Sequence, residues 1–416
     1  MQRIEADLVI PGRGEPVRDG VVVIDGEDIA YAGPSAAAPE TPGATVVRAA
    51  VVMPGLWDCH GHFMGVRSPD LTRLVQDPIA VRAARCAGDL RAALDAGVTT
   101  VREVGGLGVY LARAVEEGTL DGPAIYAAGA VLSTTGGHGD LHSLPLPTIH
   151  DHTHCGGELR LCDGPSECAK AVREQLRRDA RVIKICVSGG VMSEVDHPVH
   201  QQFTAAELAA IVEVASMADR VVAAHGHGKA AIMAAIEAGV RTIEHGTYLD
   251  DEAFAAMRET GTVLVPTRTI IEELLTADGM PPYALAKLRA VSEQHASTLS
   301  AAHAAGVTIA AGTDIFHSAT TTGPALPNSW GRNGRELPLL VAAGMTPLEA
   351  IEAATANGPL TLGPQAPLAG ELIAGQRADV LTLDADPVAD ITVLADPAHI
   401  VGVWTRGRRV KGSISQ

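Results

Sequence analysis

The sequence predicts an α/β chain: a (β/α)8 TIM barrel over residues 54–364, joined to a small composite β-sandwich domain assembled from residues 1–53 and 365–416. Three observations predict it. Both ends of the chain consist of short β-branched runs separated by Gly and Pro turns. The middle alternates such runs with Ala-rich helical stretches, the pattern of a parallel sheet covered by helices. Side chains that ligate metals recur where the middle runs end, which is where a parallel barrel carries its chemistry.

At the N-terminal end, Leu8-Val9-Ile10 and Gly20–Ile24 read as strands, with turns at Pro11–Gly14 and Asp25–Asp28. The far end has the same texture: Ala378–Leu383 and Ile400–Thr405 are strands, and Arg406-Gly407-Arg408 is a turn. Pro54-Gly55 marks the crossing into the middle. There the expected strands are the run that starts at Val51 and ends in His60-Gly61-His62-Phe63, then Thr99–Val104, Ala124–Leu132, Val182–Val187, Val221–Ala224, Arg241–Glu244, Val263–Pro266 and Val307–Ala311. Capping boxes at Thr204–Glu207 and Thr346–Glu349 open two of the intervening helices, the second with Pro at its first position.

Composition narrows the function. The 416 residues are 46% hydrophobic and 3% aromatic, so aliphatic side chains must build the core. A formal net charge of −17 argues against nucleic acid or an anionic membrane as partner. No apolar span is long enough for a membrane helix. Met1–Asp7 leads into a strand without a signal-like run, and the six cysteines are dispersed. Free thiols in a reducing cytoplasm are therefore expected.

The chemistry is concentrated at strand ends. Residues i and i+2 of a strand point the same way, so His60 and His62 form a chelating pair. By itself that pair also fits two surface histidines in a turn. Lys184 lies inside the apolar run Val182–Val187. It is either a salt-bridged or snorkelling lysine, or one deprotonated by its site and carboxylated by carbon dioxide to an anion that bridges two cations. The fifth strand ends in His225-Gly226-His227, the sixth in Glu244-His245 and the eighth in Thr313-Asp314. Asp314 alone would equally suit a helix N-cap. The joint recurrence, in barrel order, points to a metal site.

These residues resemble the amidohydrolase superfamily over nearly the whole chain. The similarity is greatest to the branch holding Xaa-Pro dipeptidases, related carboxypeptidases and fungal ochratoxinase, with imidazolonepropionase more distant. The resemblance implies two divalent metal ions, zinc in most members. His60, His62 and Asp314 would hold the more buried ion, His225 and His245 the second, and carboxylated Lys184 would bridge them. Asp314 would also act as acid and base. His138, in Thr135–Asp140, would polarise the scissile carbonyl. His227, Tyr248, Ser188 and Gly189 would contact the substrate. Relatives commonly assemble, so a homo-oligomer is expected.

The expected reaction is hydrolysis of an amide next to a free carboxylate, in a dipeptide, an N-acyl amino acid or an amide-linked toxin such as ochratoxin A. One rival is a cyclic amidase or an imidazolonepropionase-type ring opener, against which Lys184 counts. Another is a non-catalytic metal-binding scaffold, against which the complete ligand set counts. Residues His150–Cys155 with Cys162 and Cys168 do not match structural-zinc spacing and are expected to form a mobile loop over the active-site mouth.

Overall fold

In chain order the strands are β1 (Gln2–Val9), β2 (Val17–Asp25), β3 (Asp28–Pro34), β4 (Thr45–Pro54), β5 (Leu56–Val66), β6 (Val98–Glu103), β7 (Ala124–Ala127), β8 (Val131–Ser133), β9 (Leu159–Leu161), β10 (Ile183–Cys186), β11 (Val222–Gly226), β12 (Thr242–His245), β13 (Val263–Val265), β14 (Ile315–His317), β15 (Val380–Leu383), β16 (Ile400–Thr405) and β17 (Arg408–Lys411). The computed structural model describes residues 1–320 and 326–412.

The staves of the barrel are parallel and buried on both faces, which is why their sequences run continuously apolar instead of alternating. β5, β6 and β7 pair in order, and β8, β10, β11, β12 and β13 pair in order. Two seams close the ring. Arg181 N–H donates to the Ala127 carbonyl at 2.8 Å, joining β7 to the start of the β10 stave. On the other side the extended segment 307–311 lies between β13 and β5, with Leu264 N–H on the Thr308 carbonyl and Cys59 N–H on the Ala311 carbonyl, both at 2.9 Å.

The termini build one continuous seven-stranded sheet in the order β17-β16-β15-β4-β1-β2-β3. A separate apolar cluster that includes Ile4, Val22, Ile24, Val380 and Trp404 fills it. β4 runs straight into β5 through Gly55. A Cβ there would lie 2.0 Å from Thr99 Oγ1, so the passage from sheet to barrel requires glycine. Both expected capping boxes form, at Thr204–Glu207 and Thr346–Glu349.

Three expectations are corrected. Ala124–Leu132 is two strands, β7 and β8, because Gly129 adopts φ +76° and turns the chain between them. Val307–Ala311 is extended but forms only an isolated bridge, Leu264 to Ile309, since its hydrogen bonds are shared between β13 and the Ala353 carbonyl. The His/Cys stretch is a helix, Leu146–His154, with Pro147 in its first turn, not a loop. Its His152 reaches Glu158 at 3.2 Å, which also pairs with buried Arg82. Cys162 and Cys168 lie buried side by side as thiols, 3.7 Å apart.

Candidate metal centre

β5 delivers His60 and His62 to the barrel mouth, and the segment after Gly312 delivers Asp314. Asp314 Oδ1 lies 3.0 Å from His62 Nε2 and 3.5 Å from His60 Nε2. β11 and β12 deliver a second group, His225, His227 and His245. Within each triad the ligand-type atoms lie within 4.8 Å of one another. The rings of His60 and His245, 5.2 Å apart, connect the two triads. Asp314 precedes strand β14, not a helix, so the N-cap alternative does not apply.

A metal-binding imidazole must turn one nitrogen inward with its lone pair free, and a hydrogen bond to the other nitrogen enforces this. Four rings are held in this way. His60 Nδ1 meets Glu244 Oε2 at 2.6 Å and His62 Nδ1 the Gly105 carbonyl at 2.7 Å. His227 Nδ1 meets Thr247 Oγ1 at 2.8 Å and His245 Nδ1 meets Thr267 Oγ1 at 2.7 Å. Each leaves Nε2 toward the site. His225 is the reverse, with Nε2 on the Gly189 carbonyl at 3.2 Å. Burial holds His60 neutral, pushing its pKa down to about 4. Burial works against the charge on Asp314, but His60, His62 and Lys184 outweigh it and keep this carboxyl below its ordinary value. The donor set therefore fits divalent cations in both triads.

Lys184 is 3% exposed in the middle of β10 and lines the same cavity. Burial lowers its pKa, and the opposing attractions come from charges at a distance, with no hydrogen bond among them. A buried ammonium without an acceptor is costly.

Charges behind the ligands hold them in place. Arg102, fully buried on β6, donates to both Glu244 oxygens at 2.8 Å and to the Cys59 carbonyl at 2.6 Å. Glu244 in turn orients His60. Asp58 ties the two ends of the first triad together, accepting from His60 N–H and Thr313 N–H, both at 3.1 Å. Thr267, His245 and Asp314 all adopt positive φ, at +56°, +70° and +58°. Non-glycine residues tolerate this region at a cost, so surrounding packing holds the site in a strained backbone. Sequence reasoning assigned no role to Asp58, Arg102 or Glu244. The signal was present, because each is a charge inside an apolar run, the same criterion that singled out Lys184.

The expected substrate contacts separate. His138 and His227 line the cavity. Ser188 and Gly189 do not: the Ser188 hydroxyl accepts from His227 N–H at 2.9 Å, and Gly189 N–H donates to the His200 carbonyl at 3.1 Å. Tyr248 does not line it either; its N–H donates to the His227 carbonyl at 3.0 Å. The rest of the wall is apolar, including Met64, Leu141, Ile270, Leu274, Leu288 and Phe316. Two helices, Arg268–Leu275 and Pro282–Ala304, supply much of it. Among the described residues no helix is long and apolar enough to cross a membrane.

Known proteins show the same arrangement of chain. The model of the amidohydrolase family matches residues 51–410. Ochratoxinase of Aspergillus niger is 42% identical over 98% of this chain and 86% of its own length. Its crystal structure aligns with a TM-score of 0.91, covering 99% of this chain and 95% of that one. A prolidase complexed with N-methylphosphonate-L-proline is 32% identical, with a TM-score of 0.89 over 99% of this chain and all of that one. A Xaa-Pro dipeptidase with methionine in its active site is 30% identical, with a TM-score of 0.84 over the same shares. With its barrel, its terminal β domain and its two ligand triads, the chain belongs to the amidohydrolase family and is a hydrolase of amide C–N bonds.

Proposed function

We propose that the protein hydrolyses an amide bond next to a free carboxylate, in N-acyl amino acids or dipeptides with bulky apolar groups, amide-linked ochratoxin A among them. The observation that carries this reading is the pair of ligand triads joined at the floor of a cavity whose walls are apolar. The names of the relatives support the same substrate class.

In this reading His60, His62 and Asp314 would hold one zinc ion and His225 and His245 the other, with carboxylated Lys184 as a ligand shared between them. When bound, two such cations acidify a water and polarise the substrate carbonyl. The chain does the rest. Asp314 presents Oδ1 to His60 and His62, so Oδ2 is left to take the proton of the attacking water and pass it to the leaving nitrogen. His138 and His227 line the cavity beside these ligands and are the groups that would contact the substrate. Leu274, Leu288 and Phe316 receive an apolar acyl or side-chain group and keep bulk water from the reacting carbonyl. The six free thiols support a cytoplasmic setting.

The test is hydrolysis of an N-acyl amino acid and dipeptide panel, with ochratoxin A included, by zinc-loaded protein. Activity is expected to vanish on chelation and to return with zinc. Undiminished activity after complete metal removal overturns the proposal.

A further inference from the structure

The segment 190–196, which follows the β10 stave, forms part of the cavity wall without secondary structure to hold it. Val191 and Met192 line the cavity and pack against the apolar cluster that includes Leu288 and Phe316. Among the described residues no hydrogen bond between backbone groups involves residues 190–196. Such a stretch keeps one shape only if side chains supply its partners. Two side chains of the helix Pro282–Ala304 do so. Lys287 Nζ lies 2.8 Å from the Ser193 carbonyl and 3.3 Å from the Gly190 carbonyl, and makes a short contact with the Asp196 carbonyl. It is also 3.2 Å from Asp196 Oδ1. One turn earlier Tyr283 donates its hydroxyl to the Met192 carbonyl at 3.2 Å. Residues four apart share a helix face, so Tyr283 and Lys287 grip the segment together.

Three carbonyls with their negative ends inward repel one another, and they converge here around a cation. Lysine suits that place, with a compact ammonium and three donors. The Lys287 side chain is 15% exposed and that of Asp196 6%, so water is largely kept from the pair. Asp196 ties the same segment from within, accepting from Gly190 N–H at 3.2 Å and from Gln202 Nε2 at 3.0 Å. Beside and beyond Lys287, the helix presents Leu288 and Val291 to the cavity. Lys287 thus stands behind two walls, one of Val191 and Met192, the other of Leu288 and Val291, and joins them.

We infer that Lys287 is a positioning residue that sets the width of the apolar pocket by fixing these two walls against each other, and so determines the preference for bulky groups. The inference rests on the proposed amide hydrolysis and assigns its specificity to a side chain that does not line the cavity itself. The segment also carries Ser193, whose hydroxyl lies 2.9 Å from His138 Nδ1. A disturbance passed on through His138 slows every substrate alike, whereas a change of width acts on the bulky ones.

Two measurements test it. Zinc-loaded Lys287→Met, which keeps an unbranched side chain without the charge, is compared with the wild-type protein on an amino acid bearing a bulky aromatic acyl group and on its acetyl counterpart. The ratio of kcat/KM, bulky to acetyl, should fall by about tenfold. The fall should come through the KM of the bulky substrate, with its kcat little changed. Tyr283→Phe, which removes one hydrogen bond from the same grip, should lower the ratio by about threefold. Independently of activity, amide exchange of the segment 190–196 should quicken in Lys287→Met, because Gly190 N–H and Val195 N–H lose their hold on Asp196 and His142. An unchanged ratio, or an equal loss on both substrates, overturns the inference. Should Lys287→Met fail to fold, an unchanged ratio in Tyr283→Phe does the same. Wild-type protein that hydrolyses neither substrate is instead a failure of the proposed function; amide exchange then decides the role of Lys287, and an unchanged rate in Lys287→Met overturns it.

Discussion

The floor of the active-site cavity and the mouth of that cavity are built by opposite rules. At the floor, charged and polar groups are packed together and most have a defined partner: Arg102 on Glu244, Glu244 on His60, Asp58 on both His60 and Thr313. At the mouth, Ile270, Leu274, Leu288 and Phe316 touch one another and the cavity as apolar surface without direction. Hydrogen bonds fix atoms to fractions of an ångström, whereas apolar contact is proportional to area and tolerates repacking. The floor determines which reaction occurs, and the mouth determines how well each substrate fits.

The contrast is tested hardest at Asp314. Asp314→Asn keeps shape and removes a proton acceptor, so kcat/KM should fall by roughly 10³-fold in steady-state assays. A loss of less than about tenfold would remove Asp314 from its acid–base role. Glu244→Gln should come next. It neutralises the group that orients His60, and zinc affinity measured by chelator competition should drop by about 10–100-fold. The same variant leaves Arg102 without its charge partner, so its melting temperature should fall as well.

At the mouth, Leu288→Ala should leave metal content unchanged and lower kcat/KM for a bulky apolar acyl group by about tenfold relative to a small one. If it abolished activity on every substrate, the division between floor and mouth would fail. The smallest effect is expected from pH. Burial depresses the pKa of His60, His138 and His295 to about 4 and that of His227 to about 3, from 6.5 in an unfolded chain. Between those values the unfolded chain holds more protons, so stability is present above pH 6.5 and is lost as pH falls toward 4. His62 opposes this: despite burial its pKa is raised, by Asp314. The melting temperature of metal-free protein should decline across that window, and a flat profile would mean that these rings are solvated.

The floor was far more legible in the sequence than the mouth. His60 and His62 share one face of β5, His225 and His245 lie at the ends of β11 and β12, and Asp314 follows the extended segment 307–311, so looking where apolar runs give way to ligand-type residues brought them together. Lys184 was conspicuous because a charge inside an apolar run is expensive. Ile270, Leu274 and Leu288 gave no such sign, since an apolar stripe on a helix looks the same whether it covers a core or a cavity. The barrel was readable as eight units, yet Ala124–Leu132 ran together because the turn at Gly129 carries no Pro, Asn or Asp beside it. The expected loop at 150–168 proved to be the end of one helix, strand β9 and the start of another, a path that the scattered His and Cys residues did not reveal.

The seven-stranded sheet has a consequence for how the chain is made. β4 is flanked by β1 on one side and by β15 on the other. During synthesis β1–β4 emerge first, and the β15 side of β4 stays an open edge while more than 300 residues of barrel are added. Open edges invite pairing with other chains. Here the exposed edge carries Val51, Val52 and Met53, all buried in the finished protein. The period of greatest aggregation risk therefore lies during translation, before β15 leaves the ribosome, and slower synthesis of the barrel would lengthen it.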